Sequence, residues 1–131
     1  MADREMPAYV LDMLARPNPA VIATVSGTGA PVTVATWYLW EQGRVLVNMD
    51  AGRRRLEHIR RDRRVSLTVL HGSDWHAHVS LRGRVVELVD DPELVDIDRL
   101  AHHYTGDRYP VRDRARVSGW VEVDNWHEWG F

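Results

Sequence analysis

The spacing of apolar residues along the chain predicts three helices and about six strands. A first helix is expected between Pro7 and Pro17, because apolar positions there recur at helical spacing. Its inward face comprises Met6, Val10, Met13 and Leu14. Runs rich in valine, threonine and aromatic residues, separated by turn sequences, predict strands over residues 20–26, 31–41, 44–49, 65–71, 76–89 and 114–125.

Two further helices are predicted between these strands. One follows the sequence Asp50-Ala-Gly52, which offers a helix cap, and turns Leu56 and Ile59 inward. The other begins after the Asp-Asp-Pro sequence at residues 90–92 and ends near Thr105 and Gly106. Its inward residues are Leu94, Ile97 and Ala101.

The long fifth strand has the most regular alternation in the chain, with an apolar face interrupted only by Glu87. The apolar face carries Ala77, Val79, Leu81, Gly83, Val85 and Val89. The polar face carries His76, His78, Ser80, Arg82 and Arg84. In the last strand the corresponding polar and aromatic face carries Arg116, Ser118, Trp120 and Glu122.

Consecutive strands are joined mostly by short turns, which favours an antiparallel sheet over alternating strand and helix units. We therefore predict one α+β, mainly β, domain over residues 1–131, with about six mostly antiparallel strands closed into a small barrel and short helices at its ends. Closure would protect the strand edges that an open sheet exposes. The polar yet aromatic second faces of the long strands also predict a covering partner subunit.

Composition narrows the chemistry that this fold can carry. All 17 basic residues are arginines and the net charge is -2, so a lysine Schiff base is excluded and no overall field attracts nucleic acid. The absence of cysteine excludes disulfides, thiolate catalysis and cysteine-type zinc sites. With no long apolar stretch and an acidic beginning, we expect a cytoplasmic protein without a membrane span.

Residues 52–64 form a cationic segment, with seven arginines against two acidic residues and a local net charge of +5. Three of these arginines fall in the first turn of the predicted second helix, where the helix dipole disfavours cations. A bound phosphate would relieve this, because helix N-terminal amides and arginine forks both bind phosphate. A solvated helix face paired with Glu57 and Asp62 is equally open, and a nucleic-acid surface is less favoured.

Histidine and tryptophan suggest further sites. His76 and His78 share one side of a strand, a spacing that some metal sites use, but without an apparent third ligand they are better interpreted as the wall of a pocket or interface. Trp37 and Trp40 have opposite parity, so one is expected to pack inward and the other to face a cleft or a neighbour. An apolar slot with an arginine-rich end would suit a flat aromatic ligand that bears a phosphate. The common nucleotide and hydrolase motifs are absent.

The order of these segments resembles the pyridoxamine-phosphate-oxidase-like split β-barrel family, and within it the small deazaflavin (coenzyme F-420) dependent reductases. The matching segments are residues 20–25 (AVIATV), 29–31 (GAP), Trp37, 45–48 (VLVN), the arginine helix with 61–62 (RD), 64–67 (RVSL), 79–85 (VSLRGRV), 104–107 (YTGD) and 109–110 (YP). They cover nearly the whole chain, and their order and spacing are more specific than any one of them.

The family's phosphate-binding segment maps onto the arginine helix. Arg54 matches the family's arginine, Arg55 takes the place of its lysine, and His58 replaces an asparagine. Arg63 replaces a proline, and Val34 with the residue after it replaces a Thr-Pro pair. With the neighbouring Arg53, the resemblance implies a site for the phosphate of a cofactor.

The resemblance further implies a homodimer with two cofactor sites at the subunit interface. The tricyclic ring of the cofactor would lie along the third strand near Val47, Asn48 and Met49. From the other subunit, Trp75, His76 and His78 would reach over the ring.

The function implied is transfer of a hydride from reduced F-420 to a conjugated, electron-poor small molecule, with no metal required. Two alternatives stay open at this point. FMN presents a phosphate and a similar tricycle, so an FMN-dependent oxidase or reductase is the first. The second is a non-catalytic binder of F-420, haem or another flat ligand.

Overall fold

A computed structural model describes residues 5–131 as seven strands and three short helices. The helices are α1 (Ala8–Leu14), α2 (Arg54–Arg61) and α3 (Val95–Thr105). The strands are β1 (Ala20–Val25), β2 (Pro31–Thr36), β3 (Leu39–Glu41), β4 (Arg44–Asp50), β5 (Arg64–Leu70), β6 (His78–Asp90) and β7 (Arg116–Trp129). Among these residues no helix is long and apolar enough to cross a membrane.

All seven strands form one antiparallel sheet in the order β2-β1-β5-β6-β7-β4-β3. The two edge strands, β2 and β3, are consecutive in the chain and are linked only by Trp37 and Tyr38. Three Cα steps span at most about 11 Å, so the sheet must curl until its edges nearly meet. The edges do not pair, so the predicted closure of the barrel is wrong and the architecture is an open, split barrel. The predicted α+β, mainly β fold is confirmed.

The predicted strand over residues 31–41 is wrong as a single element. Tyr38 is fully buried at the break, where its N–H donates to Tyr104 Oη at 3.3 Å and its hydroxyl donates to Leu14 O at 2.9 Å. Trp37 stacks on Tyr104. These two residues are used in tertiary contacts instead of the strand ladder, and the chain passes from one edge of the sheet to the other.

The pairing of β6 with β7 contains two register shifts, so the alternation of inward and outward residues differs from the predicted one. Val85 pairs with Val121 and Glu87 with Trp120, so Val86 is an extra residue on β6. The bulge reverses the phase of the strand beyond it, since one inserted residue exchanges the two faces. Val89 is therefore 44% exposed instead of inward. A second register shift lies between Arg82 and Gly83. Strand β7 continues to Trp129, beyond the predicted end at residue 125.

The helices carry most of the predicted inward residues, but Met6 lies before α1 and Leu94 is the N-cap of α3. Both α2 and α3 begin later than their sequence signals. Asp50 accepts the N–H of Gly52 at 2.8 Å in the turn before α2, whose own N-cap, Arg53, makes no side-chain capping bond. Asp91 precedes α3 and accepts the N–H groups of Asp96 and Ile97 at 3.2 and 3.0 Å. Its carboxylate thus satisfies amides that the helix start leaves free.

Strand β4 is buried on both faces, and this positions the site. Val45, Val47 and Met49 point into the main core of the barrel. Leu46 and Asn48 alternate with them and lie on the opposite face. A smaller apolar cluster of Leu94, Ile97 and Leu100 packs with Trp37, Leu39 and Tyr109 outside the barrel. The barrel wall therefore has a sheltered outer surface beneath α3.

Candidate functional site

A cavity of about 610 Å³ lies between the start of α2 and the β1–β2 hairpin, and we call it the arginine cavity. Val32, Val34 and Ala35 of β2 supply its apolar wall. The polar side chains that line it are Thr24, Ser26, Arg53, Arg54, Arg55 and His58. A single cavity thus collects three consecutive arginines, a histidine and two hydroxyl groups, which is a donor set suited to an oxyanion.

Helix periodicity explains how α2 presents these groups. Leu56 and Ile59 are buried and hold the helix on the barrel. Arg55 and His58 are three residues apart and flank this apolar stripe, so both are half-buried on the cavity side. Arg53 and Arg54 are exposed at the first turn. The cavity therefore has one enclosed arginine and two at its mouth.

Arg55 is the most unusual group in the site. Its Nη2 donates to Asn48 O at 3.3 Å, whereas Nε and Nη1 are buried and have no hydrogen-bond partner among residues 5–131. Burial first, and then the positive charges of Arg53 and Arg116, lower the pKa of Arg55 to about 10. A buried cation with two unused donors and two cationic neighbours is a position that an anionic ligand would stabilise.

His58 takes part in the cavity through β1. Its Nδ1 lies 2.9 Å from Thr24 Oγ1. Thr24 itself is buried, so the hydrogen bond holds the imidazole at the cavity wall. The histidine that replaces the family's asparagine therefore still lies at the site.

A second cavity, of about 510 Å³, adjoins the first and shares Ala35 and Arg55 with it. We call it the aromatic cavity. Trp37 and Tyr104 stack with ring centroids 5.3 Å apart and planes inclined by 14°, and Tyr109 meets Trp37 edge-on at 6.2 Å. The other polar side chains of its lining include Asn48 and Arg116. Arg55 thus stands at the junction of a cationic cavity and an aromatic one.

Hydrogen bonds fix the aromatic wall in place. Tyr104 Oη donates to Asn18 O at 2.7 Å and accepts the N–H of Tyr38. Burial raises the pKa of Tyr104 to about 12, so its hydroxyl remains a donor at neutral pH. Asn18 Nδ2 in turn donates to Met13 O at 2.6 Å. The wall is therefore tied to the end of α1.

Asn48 connects the two arginines of the aromatic cavity. Its main-chain carbonyl accepts Arg55 Nη2, and its Oδ1 accepts Arg116 Nε at 2.7 Å. Its Nδ2 donates to Asp91 Oδ2 at 3.1 Å and to Ser118 Oγ at 3.0 Å. Asn48 thus orients Arg55 through its main chain and Arg116 through its buried side-chain amide, which also links β4 to β7 and the start of α3.

The structure brings four of the predicted site residues together: Asn48, Arg53, Arg54 and Arg55 line the two cavities. The side chains of Val47 and Met49 fill the barrel core, so only their main-chain groups are available at this strand. Trp75, His76 and His78 lie in or beside the β5–β6 turn and line neither cavity. Trp75 is 75% exposed, and His78 Nδ1 lies 3.0 Å from His76 O. Within the described part of the chain, no three histidine, aspartate or glutamate side chains are arranged to hold a metal.

If the arginines of α2 only formed a solvated helix face, they would be expected to pair with Glu57 and Asp62. Across residues 5–131, six arginines form ion pairs: Arg44, Arg64, Arg84, Arg99, Arg112 and Arg114. Only the Arg64–Asp62 pair falls in the segment 52–64, and it lies beyond α2. The arginines that line the two cavities have no acidic partner among the described residues, which favours a ligand site over a paired surface.

Three residues of the aromatic cavity, Tyr104, Tyr109 and Arg116, were not among the predicted site residues. Tyr104 and Tyr109 nevertheless fall in segments that resemble the pyridoxamine-phosphate-oxidase-like family. Arg116 is 61 positions from Arg55, and the two meet only because β7 pairs with β4. No local spacing in the chain signals that contact.

These features define a split barrel with a cationic and an aromatic cavity in contact. The sequence model of the pyridoxamine 5'-phosphate oxidase family matches residues 6–130, and the chain belongs to this family. No curated protein sequence matches it significantly.

Solved structures agree on the fold. An F-420 reductase superposes with a TM-score of 0.85 at 23% identity, covering 93% of this chain and 98% of its own. A conserved hypothetical protein from Mycobacterium tuberculosis gives 0.73 at 23% identity, with 98% and 88% covered. General Stress Protein 26 from Bacillus anthracis str. Sterne gives 0.71 at 12% identity, with 92% and 90% covered.

Proposed function

We propose that the protein is an oxidoreductase that binds coenzyme F-420 and uses it to reduce a conjugated, electron-poor small molecule. The family supports an oxidoreductase with a flavin-type cofactor, and an F-420 reductase is among the solved structures of the same fold. The proposal depends above all on the environment of Arg55. At the junction of the two cavities, its buried Nε and Nη1 have no hydrogen-bond partner among residues 5–131.

The residues present fit a phosphorylated, flat cofactor. Arg53, Arg54 and Arg55 offer guanidinium groups to a phosphate. Within the described chain, no acceptor bonds Nε and Nη1 of Arg55 in place of that phosphate. The ring of the cofactor would extend from this phosphate site to the Arg55 and Asn48 side of the adjoining aromatic cavity, which leaves the Arg116 and Tyr109 side for a substrate. Asn48 borders it on β4, where the main chain of Val47 and Met49 is also at hand for the edge of a ring.

The hydride chemistry belongs to the bound cofactor, which supplies a hydride from C5 of the reduced deazaflavin. The protein's residues bind and orient. The arginines would hold the phosphate, and the polar network around Asn48 fixes the direction of Arg55 and Arg116.

The proposal includes a homodimer in which the partner subunit's Trp75, His76 and His78 complete the cavity. Its support is that these residues lie outside both cavities of their own chain, with Trp75 largely exposed. Light scattering should then give about twice the chain mass of 15.1 kDa. A monomer at working concentration would contradict the shared site.

Titration of the purified protein with oxidised F-420 and, separately, with FMN tests the proposal. Each ligand's fluorescence reports its binding at matched salt concentration, and inorganic phosphate should compete with it. We expect tight binding of F-420 and, with reduced F-420, turnover of an enone or quinone. Preference for FMN would place the enzyme with the flavin oxidases, and binding of neither would contradict the cofactor site.

A form of F-420 without its polyglutamate tail sharpens this test. Arg60 and Arg61 at the end of α2 are exposed, and the Arg61 guanidinium lies over Gly27 in the β1–β2 turn. If these cations meet the tail, the full cofactor should bind more tightly than the tail-free form, and the difference should shrink at high salt. Equal affinities would remove Arg60 and Arg61 from the site.

A further inference from the structure

Arg116 is held in one orientation by contacts on two sides. Its Nε donates to Asn48 Oδ1 at 2.7 Å, and its Cζ lies 4.7 Å from the centroid of the Tyr109 ring, over the face. Both Nη atoms lack a hydrogen-bond or ion-pair partner among residues 5–131. A guanidinium fixed through Nε and its flat face presents its two Nη groups together, which is the geometry that binds a carboxylate through both oxygens.

Two acidic residues whose backbones lie beside Arg116, Asp50 and Asp91, are already engaged elsewhere. Asp50, its cross-strand partner on β4, forms an ion pair with Arg114 and accepts the N–H of Gly52. Asp91 donates its N–H to Arg116 O at 2.9 Å, but its carboxylate accepts Asn48 and two amides at the start of α3. Among residues 5–131 no carboxylate pairs with Arg116, although Arg116 is only partly exposed.

The cavity around Arg116 selects for shape as well as charge. Trp37, Tyr104 and Tyr109 line it together with Ile97 and Leu100. The stacked Trp37–Tyr104 pair gives a flat aromatic surface, and apolar residues make up most of the remaining wall. A ligand that fills it would be flat, conjugated and apolar, with one negatively charged end.

We propose that Arg116 is a substrate-binding residue and that the aromatic cavity accepts a flat, conjugated substrate carrying a carboxylate. The carboxylate lies on the two Nη groups of Arg116, and the conjugated part lies against Trp37 and Tyr104. Naming this ligand the substrate rests on the proposed function. The binding site itself does not, because Arg116 lines only the aromatic cavity, whereas Arg55 belongs to both.

Calorimetric titration of the cofactor-free protein with 2-naphthoate and with 2-naphthamide tests the site. The two probes have the same flat ring system and differ in charge. We expect 2-naphthoate to bind about tenfold or more tightly, as hydrogen bonds to a charged group imply. Equal affinities in the unmodified protein would overturn the proposal without any variant.

Variants assign the preference to Arg116. Arg116→Gln should abolish the preference for 2-naphthoate while 2-naphthamide binds as before, and Arg116→Lys should retain part of it, because the charge stays and the fork is lost. Arg84→Gln, which removes a paired arginine outside both cavities, should leave both affinities unchanged. A preference that survives Arg116→Gln in folded protein, as judged by circular dichroism, would overturn the assignment.

A last titration separates substrate from cofactor. In the presence of saturating oxidised F-420, we expect 2-naphthoate to bind still, as a substrate beside a cofactor would. Displacement of 2-naphthoate by F-420 would assign Arg116 to the cofactor and overturn its substrate role. If F-420 does not bind at all, the proposed function fails while the naphthoate result stands, so the two failures are distinguishable.

Discussion

Arg84 and Arg55 are the same residue type in opposite circumstances. Arg84, on the outer face of β6, lies between Asp124 at 2.7 Å and Glu122 at 3.1 Å and is about half exposed, and Asp124 above all raises its pKa. Arg55 is enclosed between two cavities without an acidic partner, and burial lowers its pKa. Within residues 5–131, Arg84 has its charge balanced by acidic partners, and Arg55 does not.

The difference has an energetic meaning. An exposed ion pair contributes little to folding stability but also costs little. A buried, uncompensated cation destabilises the folded state, and its position is explained when a ligand supplies the missing charge. We therefore predict that Arg55 favours ligand binding at the expense of stability, whereas Arg84 does neither.

The largest expected effect lies in the residue that orients both cavity arginines. Asn48→Ala removes the acceptor of Arg116 Nε and the donor to Asp91 and Ser118 in a buried place. We expect a loss of about 2 to 4 kcal/mol in the free energy of unfolding, measured by urea denaturation. Asn125→Ala, at an exposed position on β7, is the control and should change it little. A loss below about 1 kcal/mol for Asn48→Ala would contradict the role of this network.

Arg55→Met separates binding from stability. The affinity for a phosphorylated cofactor should fall by about 1.5 to 3 kcal/mol, the range for hydrogen bonds to a charged group. The free energy of unfolding should stay the same or rise, because an uncompensated buried charge is replaced by an apolar chain. Fluorescence titration and urea denaturation measure the two quantities.

The matched control for Arg55→Met is Arg63→Gln, which removes an exposed charge outside both cavities. It should leave the affinity within about twofold. If Arg55→Met lowers stability as a paired residue would, or if both variants weaken binding equally, the contrast between the two kinds of arginine does not hold.

Tyr104→Phe keeps the ring that stacks on Trp37 and removes two hydrogen bonds of the hydroxyl. We expect a loss of about 1 to 2 kcal/mol in the free energy of unfolding by urea denaturation. Tyr109→Phe is the comparison, because the Tyr109 hydroxyl makes no hydrogen bond to residues 5–131. Equal effects of the two variants would mean that the wall is held by ring packing alone.

The smallest expected effect is the contribution of the paired arginines to the pH dependence of folding stability. Arg114 holds the pKa of Asp50 below its ordinary value of 3.8, and Arg112 does the same for Asp98. A lowered carboxyl pKa stabilises the folded state above the ordinary value, and this stabilisation is lost as the pH falls through the lowered one. Urea midpoints should therefore fall once the pH drops below about 5, most steeply below the ordinary pKa of 3.8, and less steeply in Arg114→Gln. Arg55→Met should keep the unmodified slope, and a change there would show that Arg55 has a carboxylate partner after all.

Periodicity alone predicted most of the secondary structure, since α1, β1, β4, α2, β5 and α3 depend on residues close in the chain. It failed at Trp37 and Tyr38, which a strand pattern accommodates but which tertiary contacts take out of the ladder. It also failed at Val86, because a bulge is visible only when two strands are in register. Local patterns cannot contain information that depends on a distant partner.

The candidate site divides in the same way. Local spacing was enough to predict that three consecutive arginines would lie together at the start of α2, because neighbours at the start of a helix stay neighbours in space. The enclosure of Arg55 without an acidic partner among residues 5–131, and the placing of Arg116 near it through Asn48, depend instead on the tertiary structure. Burial and counter-charge depend on the pairing of β4 with β7 and on the position of α3, which long-range packing settles and local spacing does not encode.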